Sequence, residues 1–272
     1  MLNITLLLLN LLETPNKKGI MSLAIFLMNF LIFILGASFG SFILSLIDRR
    51  EEEISIVSPP SFCDYCGKRL GVIDLIPVFS FIFLKGKTRC CGKKISRDKL
   101  FVEISLGLIF LIAFKSFSIL EFIFIAIAFS LCELISITDY KFLEIYDSDL
   151  KILLILGFIY RLIFLQIDFA FIKVCLIFSA VFLLIRWISK NGIGDGDLFF
   201  YLGIFFFLET KNIMIFILFS VWLGAIFAII KAIRIKSMKA KIALCPAIYF
   251  AFVLVIMFKD YLWKDELSHW LN

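Results

Sequence analysis

Histidine is nearly absent from this sequence, which has one histidine in 272 residues. That residue, His269, lies near the C-terminus, where we expect an exposed tail residue. Catalysis by a serine–histidine pair, or by a metal held on histidine, needs an imidazole at the centre of the site. The shortage of histidine therefore argues against both mechanisms.

Charges are also sparse, and the alternation of apolar and polar residues that marks barrel strands is absent. Charged residues make up 18% of the chain and hydrophobic residues 62%, with 34 phenylalanines and a mean hydropathy of +1.05. A soluble core of this size could not hide so much apolar surface. Lipid offers no partners to backbone polar groups, so spans that are not barrel strands must be helices. We predict an all-α polytopic membrane protein.

Apolar segments that approach the roughly 20 residues needed to cross about 30 Å of hydrocarbon predict about eight transmembrane helices. They lie at 22–47, 100–117, 119–138, 150–166, 168–188, 197–210, 212–233 and 243–262. The predicted divisions are an N-terminal extension (1–20), a first transmembrane helix (21–47), a small Cys-rich cytoplasmic domain (48–99), a membrane domain (100–262) and a C-terminal tail (263–272). The apolar run 2–12 is too short to span and lacks a basic leader, so we expect no secretory signal, and Met21 is an alternative start.

The distribution of lysine and arginine predicts the orientation. One side carries twenty of the 28 basic residues, eleven of them in 48–99, and the other side carries seven. We expect the side richer in lysine and arginine to be cytoplasmic. Lys17 and Lys18 are exceptions, because they fall on the opposite side. The net charge of +6 is then a topology signal, with affinity for anionic lipid. No basic patch has interleaved exposed aromatics, so we expect no nucleic-acid partner.

Two aspartates stand next to apolar segments on the predicted cytoplasmic side. Asp139 follows the third span, and Asp197 closes the run Gly194-Asp-Gly-Asp. Each could simply be a loop acid or a helix cap. We expect the alternating glycines at 192, 194 and 196 to allow positive φ and close backbone approach, which capping does not require. Carboxylates at a bilayer boundary are costly, and two that meet could share a proton and activate water.

These motifs resemble the type IV prepilin peptidases. Gly194-Asp-Gly-Asp197 is similar to the family's GxGD motif. Asp139 and Asp147, with seven residues between them, resemble the two acids that follow the third span in this family. The segments 35–49, 74–77 and 95–103, and Cys245-Pro246, resemble further family landmarks in unbroken order. The resemblance implies Asp139 and Asp197 as catalytic residues, with Asp147 and Asp195 as their near neighbours. Two residues depart from the family pattern: Tyr146 stands where the family usually has proline, and Phe199 where it often has lysine. We expect these departures to affect substrate fit and local geometry more than the chemistry.

The resemblance further implies an aspartic endopeptidase of the bacterial cytoplasmic (inner) membrane. It would cut the basic leader of prepilin or pseudopilin precursors at the cytoplasmic face, and it would N-methylate the new N-terminus using S-adenosylmethionine. The Cys-bearing domain is the part implicated in methyl transfer. No glycine-rich cofactor loop is visible in the sequence, so methylation is implied by the resemblance alone.

Four cysteines predict a zinc site. Cys63-x-x-Cys66 is followed by Cys90-Cys91, a pattern typical of tetrahedral zinc with four thiolates, here as a structural staple for a segment with few apolar residues. A metal-free fold with free thiols stays open, because Cys90 and Cys91 are adjacent and Thr88 stands three residues before Cys91. We expect the remaining cysteines to pack in apolar spans. They are Cys132, Cys175 and Cys245.

Two functions of other classes fit the same composition. One is a proton-coupled transporter or channel with a zinc-binding regulatory domain, although the sequence shows no convincing repeat. The other is a non-catalytic assembly scaffold in which the glycines pack helices. Arg161, inside a predicted span, should pair with an acid or line a cavity. Glu133 should either face the active cavity or form a structural pair.

Overall fold

The computed structural model describes residues 15–55, 58, 60–63, 65–189, 194–235 and 242–262. Within these ranges the chain forms nine α-helices and one 3₁₀ helix, with two isolated β-bridges and no strand. This confirms the prediction of an all-α protein. The predicted C-terminal tail with His269, most of the N-terminal extension, and Gly192 lie outside the described residues.

The chain divides into two compact units, Met1–Phe122 and Ile123–Asn272. In the first, helix α1 (Pro15–Glu51) leads to a 3₁₀ helix (Val72–Leu75), the short α2 (Phe79–Phe83) and α3 (Arg97–Ser116). Helices α1 and α3 pack closely through glycines. A Cβ on Gly36 would lie 2.6 Å from the carbonyl oxygen of Leu106, and one on Gly40 would lie 2.9 Å from that of Val102. Only glycine allows the two backbones to approach so closely.

The second unit contains the remaining helices, of which α4 begins just before the division. They are α4 (Ile119–Phe142), α5 (Asp147–Phe164), α6 (Phe169–Ile188), α7 (Asp195–Phe205), α8 (Thr210–Ile235) and α9 (Cys245–Leu262). Helix α7 is the shortest of them, at 11 residues or about 16 Å. Its own phenylalanines Phe200 and Phe205 are fully buried, as are Phe216 on helix α8 and Phe252 on helix α9. This aromatic core holds a short helix inside a bundle of longer ones.

Four helical segments are long and apolar enough to cross a membrane. They are Gly19–Glu51, Ile119–Phe142, Phe169–Ile188 and Thr210–Arg234. The last three belong to the second unit, and many of their apolar side chains are exposed, as lipid contact requires. The protein is therefore a membrane protein with its Cys-rich segment between the first two helices long enough to be spans.

The count of eight spans is not confirmed. Helix α3 begins with charged residues at 97, 98, 99 and 103, and α5 carries charges at 147, 149, 151 and 161. Helix α7 is too short to cross about 30 Å of hydrocarbon. Eight spans, and the orientation deduced by counting them, stay predictions.

Candidate functional site

Asp139 lies inside the last turn of helix α4, not after the helix as the sequence predicted. The helix continues to Phe142 and ends where Leu143 adopts a left-handed φ of 57°. Asp139 is 6% exposed, and its Oδ2 accepts a hydrogen bond of 2.9 Å from the backbone N–H of Cys245. This N–H is at the start of helix α9, where backbone donors lack partners inside the helix and where the helix dipole favours an anion. Asp139 therefore links the end of α4 to the start of α9.

Asp197 lies in the first turn of helix α7 and is half-buried. The structure brings it to Asp139, as the predicted pairing required: one carboxylate oxygen of each acid and the sulfur of Cys245 lie within 4.8 Å of one another. Three helices that are distant in sequence, α4, α7 and α9, thus each contribute one polar side chain to one point. Two carboxylates at this separation are suited to share a proton and to hold one water between them.

Cys245 is the member of this cluster whose position the sequence analysis missed. We expected it only to pack, and it is indeed fully buried, but its Sγ donates to Asp197 Oδ1 at 3.6 Å. Its carbonyl oxygen accepts from Ser136 Oγ at 3.2 Å, one turn before Asp139 on helix α4. Ser136 and Asp139 therefore hold both ends of the Cys245 backbone. The signal that could have revealed this role is the following Pro246, because proline favours the first turn of a helix.

The glycines around Asp197 act differently from our prediction. Gly194 has a φ of −73°, and Gly196 lies within helix α7, so the expectation of positive φ is wrong for these two glycines. Close approach is what Gly196 does provide: a Cβ there would lie 2.9 Å from Cδ1 and 3.3 Å from Cβ of Ile145. Ile145 belongs to the loop that follows Asp139. A glycine at 196 therefore lets the start of α7 rest on that loop.

The near neighbours of the two acids face elsewhere. Asp147 is exposed in the first turn of helix α5, and the N-cap position of that helix belongs to Tyr146. Asp195 is exposed and pairs with Arg186 at the end of helix α6. Asp149, which no sequence motif singled out, is buried and accepts from Ser148 Oγ at 3.3 Å. Of these acids, Asp139 and Asp197 are the pair that the structure brings together.

Other residues that the sequence singled out are buried or half-buried away from the two acids. Glu133 is buried and accepts from the hydroxyl of Tyr249 at 3.3 Å, which fits the structural alternative. Cys132 is buried and Cys175 is half-buried, as packing predicts. Arg161 is buried against the end of helix α7.

The four cysteines of the first unit form a cluster. Their sulfurs lie within 4.8 Å of one another, with 3.3 Å between Cys66 and Cys90, 3.8 Å between Cys63 and Cys91, and 4.0 Å between Cys90 and Cys91. Four thiolates at about 2.3 Å from a tetrahedral zinc are about 3.8 Å apart. The adjacency of Cys90 and Cys91 therefore does not prevent the four sulfurs from converging at zinc spacing.

Two similar loops present these cysteines. In the first, Gly67 N donates to Cys63 O at 2.8 Å, and Gly67 has a φ of 68°. In the second, Gly92 N donates to Thr88 O at 2.9 Å, and Gly92 has a φ of 69°. An isolated β-bridge closes each loop, Phe62 with Arg69 and Lys87 with Lys94. Thr88 thus occupies the place of a first cysteine, and Cys90 supplies the missing thiol.

Hydrogen bonds give the thiols different acidities. The bond with Thr88 Oγ1, at 3.1 Å, is the main reason why the pKa of Cys91 is lowered to about 7. Hydrogen bonds from the backbone of Tyr65 and Cys66 lower the pKa of Cys63, whereas the hydrogen bond with the Cys66 thiol raises that of Cys90 to about 12. Lowered thiol pKa values favour the thiolate form that binds metal.

A cavity of about 500 Å³ lies beside the cysteine cluster, between the end of α1 and the start of α3. Phe62, Tyr65 and Phe81 line it together with several carboxylates and bases. Two ion pairs cross its wall, from Arg89 Nε to Asp74 Oδ1 at 3.1 Å and from Lys99 Nζ to Asp48 Oδ2 at 3.3 Å. Its volume falls in the usual range of roughly 300–1,000 Å³ for sites that bind small molecules.

Comparisons with known proteins identify the family of this chain. The family described as the bacterial peptidase A24 N-terminal domain matches residues 34–117, and the type IV leader peptidase family matches residues 126–229. The chain is 30% identical over 237 residues to a prepilin leader peptidase/N-methyltransferase of Bacillus subtilis (strain 168), covering 85% of this chain and 94% of that protein. The chain belongs to the type IV leader peptidase family. The family expected from the sequence motifs is thereby confirmed.

Shorter similarities extend to other members of the type IV leader peptidase family. A prepilin leader peptidase/N-methyltransferase of Klebsiella pneumoniae is 37% identical over 94 residues, 32% of this chain and 41% of that protein. A type 4 prepilin-like proteins leader peptide-processing enzyme of Escherichia coli O78:H11 is 38% identical over 63 residues, 23% of each chain. No solved structure matches. Family membership makes this protein a peptidase, which removes the transporter and the non-catalytic scaffold as alternatives.

Proposed function

We propose that this protein is an aspartic endopeptidase that cuts the basic leader from prepilin or pseudopilin precursors at the cytoplasmic face of the bacterial cytoplasmic (inner) membrane. The observation that carries the proposal is the convergence of Asp139 and Asp197, whose side-chain oxygens lie within 4.8 Å. The names of the relatives supply the substrate class. Lysine and arginine on the predicted cytoplasmic side support the orientation.

Catalysis follows from one shared proton. One of the two acids is ionised and takes a proton from the water held between them, while the other is protonated and donates to the oxygen of the scissile carbonyl. The water oxygen bonds to the carbonyl carbon as it gives up this proton, so the two acids have exchanged roles in the tetrahedral intermediate. The newly protonated acid then gives its proton to the leaving amine as the C–N bond breaks, and the other acid takes the proton of one hydroxyl, which restores the starting state. The N–H of Cys245 holds Asp139 in a fixed orientation, so only one carboxylate oxygen of Asp139 needs to face the water.

The position of the acids suits a substrate that is partly in the bilayer. Asp139 lies three residues before the end of α4, a helix long and apolar enough to span. A precursor with an apolar helix in lipid and a basic leader in water presents its cleavage site at the same depth. The bond to be cut can therefore reach the acids without leaving the membrane boundary.

We assign the methyltransferase part of the relatives' names to the first unit, with S-adenosylmethionine as the methyl donor. The cavity beside the cysteines fits this group in size, its carboxylates suit the hydroxyl and amino groups, and its aromatic rings suit the adenine. Asp48, Asp74, Phe62 and Tyr65 are the residues that would hold it. When bound, the sulfonium supplies an electrophilic methyl group to an uncharged amine.

We assign zinc to the four-cysteine cluster as a structural ion. The sulfur spacing fits a tetrahedral thiolate site, and the lowered pKa values of Cys63 and Cys91 favour deprotonation. The segment from the end of α1 to the start of α3 contains few buried apolar residues. A metal would therefore stabilise loops that a hydrophobic core cannot hold.

The peptidase proposal is tested by replacing each aspartate of the pair and, as a control, an exposed aspartate outside it. The full chain is expressed in membranes with a prepilin-type precursor, and cleavage is followed by the change in precursor size. Asp139→Asn and Asp197→Asn should each lower the cleavage rate by at least about 10³-fold, because one amide cannot perform both proton transfers. The exposed Asp147→Asn is the matched control and should cleave at nearly the wild-type rate. Normal processing by either of the first two variants at equal membrane level would reject the proposal.

A further inference from the structure

Arg161 is a buried charge that the catalytic chemistry does not use. It lies in the last turn of helix α5, in an apolar sequence, and is 2% exposed. A buried guanidinium at membrane depth is costly unless its donors are satisfied, so such residues are kept for a purpose. Its partners indicate that purpose.

The guanidinium binds the C-terminal end of helix α7. Nη1 donates to the carbonyl oxygens of Phe205 at 3.3 Å and Leu208 at 2.8 Å, and Nη2 donates to Thr210 Oγ1 at 2.9 Å. Phe205 is the last residue of α7, and the final carbonyls of a helix lack partners inside it. A cation at this end is also favoured by the helix dipole. Arg161 is thus a side-chain cap supplied to α7 by another helix.

Helix α6 completes the surroundings of this cap. The ring of Phe171 lies 3.4 Å from Arg161 Cζ and covers one face of the guanidinium. Asp168, which caps the start of α6, accepts from Thr210 Oγ1 at 3.5 Å and so places a negative charge behind the hydrogen-bonded hydroxyl. Three helices and the α7–α8 turn therefore meet at one arginine.

The other end of α7 carries Asp197. The helix is about 16 Å long, too short to be fixed by spanning the bilayer. It packs on α5 through glycines: a Cβ on Gly157 would lie 3.0 Å from Gly203 O, and one on Gly203 would lie 2.9 Å from Leu153 Cδ2. Close glycine contacts set the separation of the two helices but offer few side chains on this face that resist sliding along the axis. On another face of α7, the rings of Tyr201 and Phe205 pack against Phe178 of α6, each at 5.0 Å. The bond from Arg161 to the carbonyl oxygen of Phe205 is made at the last residue of α7, where helix peptide dipoles lie roughly parallel to the axis.

We propose that Arg161 is a positioning residue that fixes the axial position of helix α7 and thereby holds Asp197 within reach of Asp139. The proposal rests on the proposed function for its catalytic consequence, but its structural part does not. Displacement of α7 by one ångström would separate the two acids, and misplacement on this scale can lower a catalytic rate by about 10²-fold.

A cross-linking experiment tests the position of Asp197 without relying on catalysis. The variant Asp197→Cys places a thiol next to Cys245, whose sulfur lies 3.6 Å from the present Asp197 oxygen. Mild oxidation of the full chain in membranes should form the disulfide rapidly, measured by peptide mass spectrometry. Adding Arg161→Lys keeps the positive charge but removes the planar guanidinium that binds several acceptors at once. This change should slow formation of the disulfide by about tenfold. Lys151→Met, at an exposed position on the same helix, is the control and should not change the rate.

Kinetics of precursor cleavage give the second readout, with Asp197 intact. Arg161→Lys should lower kcat by roughly 10–100-fold and leave KM within about twofold, because substrate still binds while the acids are misplaced. Thr210→Val, which removes one of the three hydrogen bonds, should give a smaller loss of kcat. Unchanged cross-linking with Arg161→Lys overturns the proposal whatever the kinetics show. If the wild type cleaves no precursor, the proposed function fails, and the cross-linking rate still decides the role of Arg161.

Discussion

The two donor clusters of this protein are assembled in opposite ways. The four cysteines of the first unit lie within 28 residues of sequence and are presented by two short loops of similar geometry. Asp139, Asp197 and Cys245 come from three helices of the second unit and span 106 residues. In both clusters the donor atoms lie within 4.8 Å. Local turns build the first, and long-range helix packing builds the second.

Burial separates the chemistry of the two clusters. Cys66 and Cys91 are exposed, so their thiols can be deprotonated in water and a metal can reach them. Asp139 and Cys245 are buried next to lipid-facing helices, where two ionised carboxylates side by side would be unfavourable. The first cluster is therefore suited to hold an ion, and the second to hold a proton.

The largest expected effect comes from breaking the helix packing that assembles the acidic cluster. In Gly157→Leu, the new Cβ would lie 2.8 Å from Cβ of Phe206 and 3.0 Å from the backbone of Gly203. Helix α7 must then move away from α5, and overpacking of this kind costs at least about 1–3 kcal/mol. We expect precursor cleavage to be lost and the thermal unfolding midpoint in detergent to fall.

The matched control for this variant is Gly19→Leu in helix α1. A Cβ on Gly19 would have no atom within 4 Å, so we expect an unchanged midpoint and normal cleavage. Equal behaviour of the two variants would mean that the contact between α5 and α7 does not determine the acidic cluster.

The next prediction breaks the cysteine cluster instead. Cys63→Ser combined with Cys66→Ser removes two of the four thiolates, so the zinc content of protein purified without chelator should fall from about one ion per chain to nearly none. Precursor cleavage should continue, because the acids belong to the other compact unit. The control variant Cys175→Ser changes a half-buried cysteine outside the cluster, so the protein should keep its zinc. A wild type without metal would reject the zinc assignment.

The contrast between the clusters also explains what the sequence could predict. The apolar segments and the motif at Asp197 each lie within a short window, and they led to the confirmed fold class and family. The cysteine pattern is equally local, and the four sulfurs do converge, while the zinc it predicts stays a prediction. The pairing of Asp139 with Asp197 was predicted from their position beside apolar segments on one predicted side and from the family resemblance. No local pattern sets the distance between two residues on separate helices.

Two other features lay beyond sequence reasoning for physical reasons. Cys245 belongs to an apolar segment, so its composition predicts packing, and only the turn before α9 aims its N–H and thiol at the acids. Arg161 had no visible partner because it binds backbone carbonyls, which every residue has. Backbone partners leave no trace in a sequence. The predicted count of eight spans is not confirmed, because charges within α3 and α5 interrupt otherwise apolar segments.

A smaller effect is expected from removing the thiol within the acidic cluster. Cys245→Ala keeps the backbone N–H that binds Asp139 and loses the contact of 3.6 Å with Asp197. One weak hydrogen bond is worth about 1 kcal/mol, so kcat for precursor cleavage should change by less than about tenfold. Loss of cleavage as severe as that of Asp197→Asn would show that the thiol itself takes part in the reaction.

The smallest expected effect sharpens the comparison within the cysteine cluster. In metal-free protein, the rate of alkylation should rise through pH 7 at Cys91, whose pKa is about 7, and remain low at the adjacent Cys90, whose pKa is raised to about 12. The thiolate is the reactive form and exists above the pKa, so a lowered pKa moves the onset of labelling to lower pH. Thr88→Val removes the hydrogen bond that contributes most to this lowering and should move the half-maximal rate at Cys91 to higher pH. Labelling is measured by mass spectrometry at a series of pH values, with Cys90 as the internal control. Equal labelling of both cysteines at pH 7 would mean that the loop from Thr88 to Cys91 does not hold the two thiols in different surroundings.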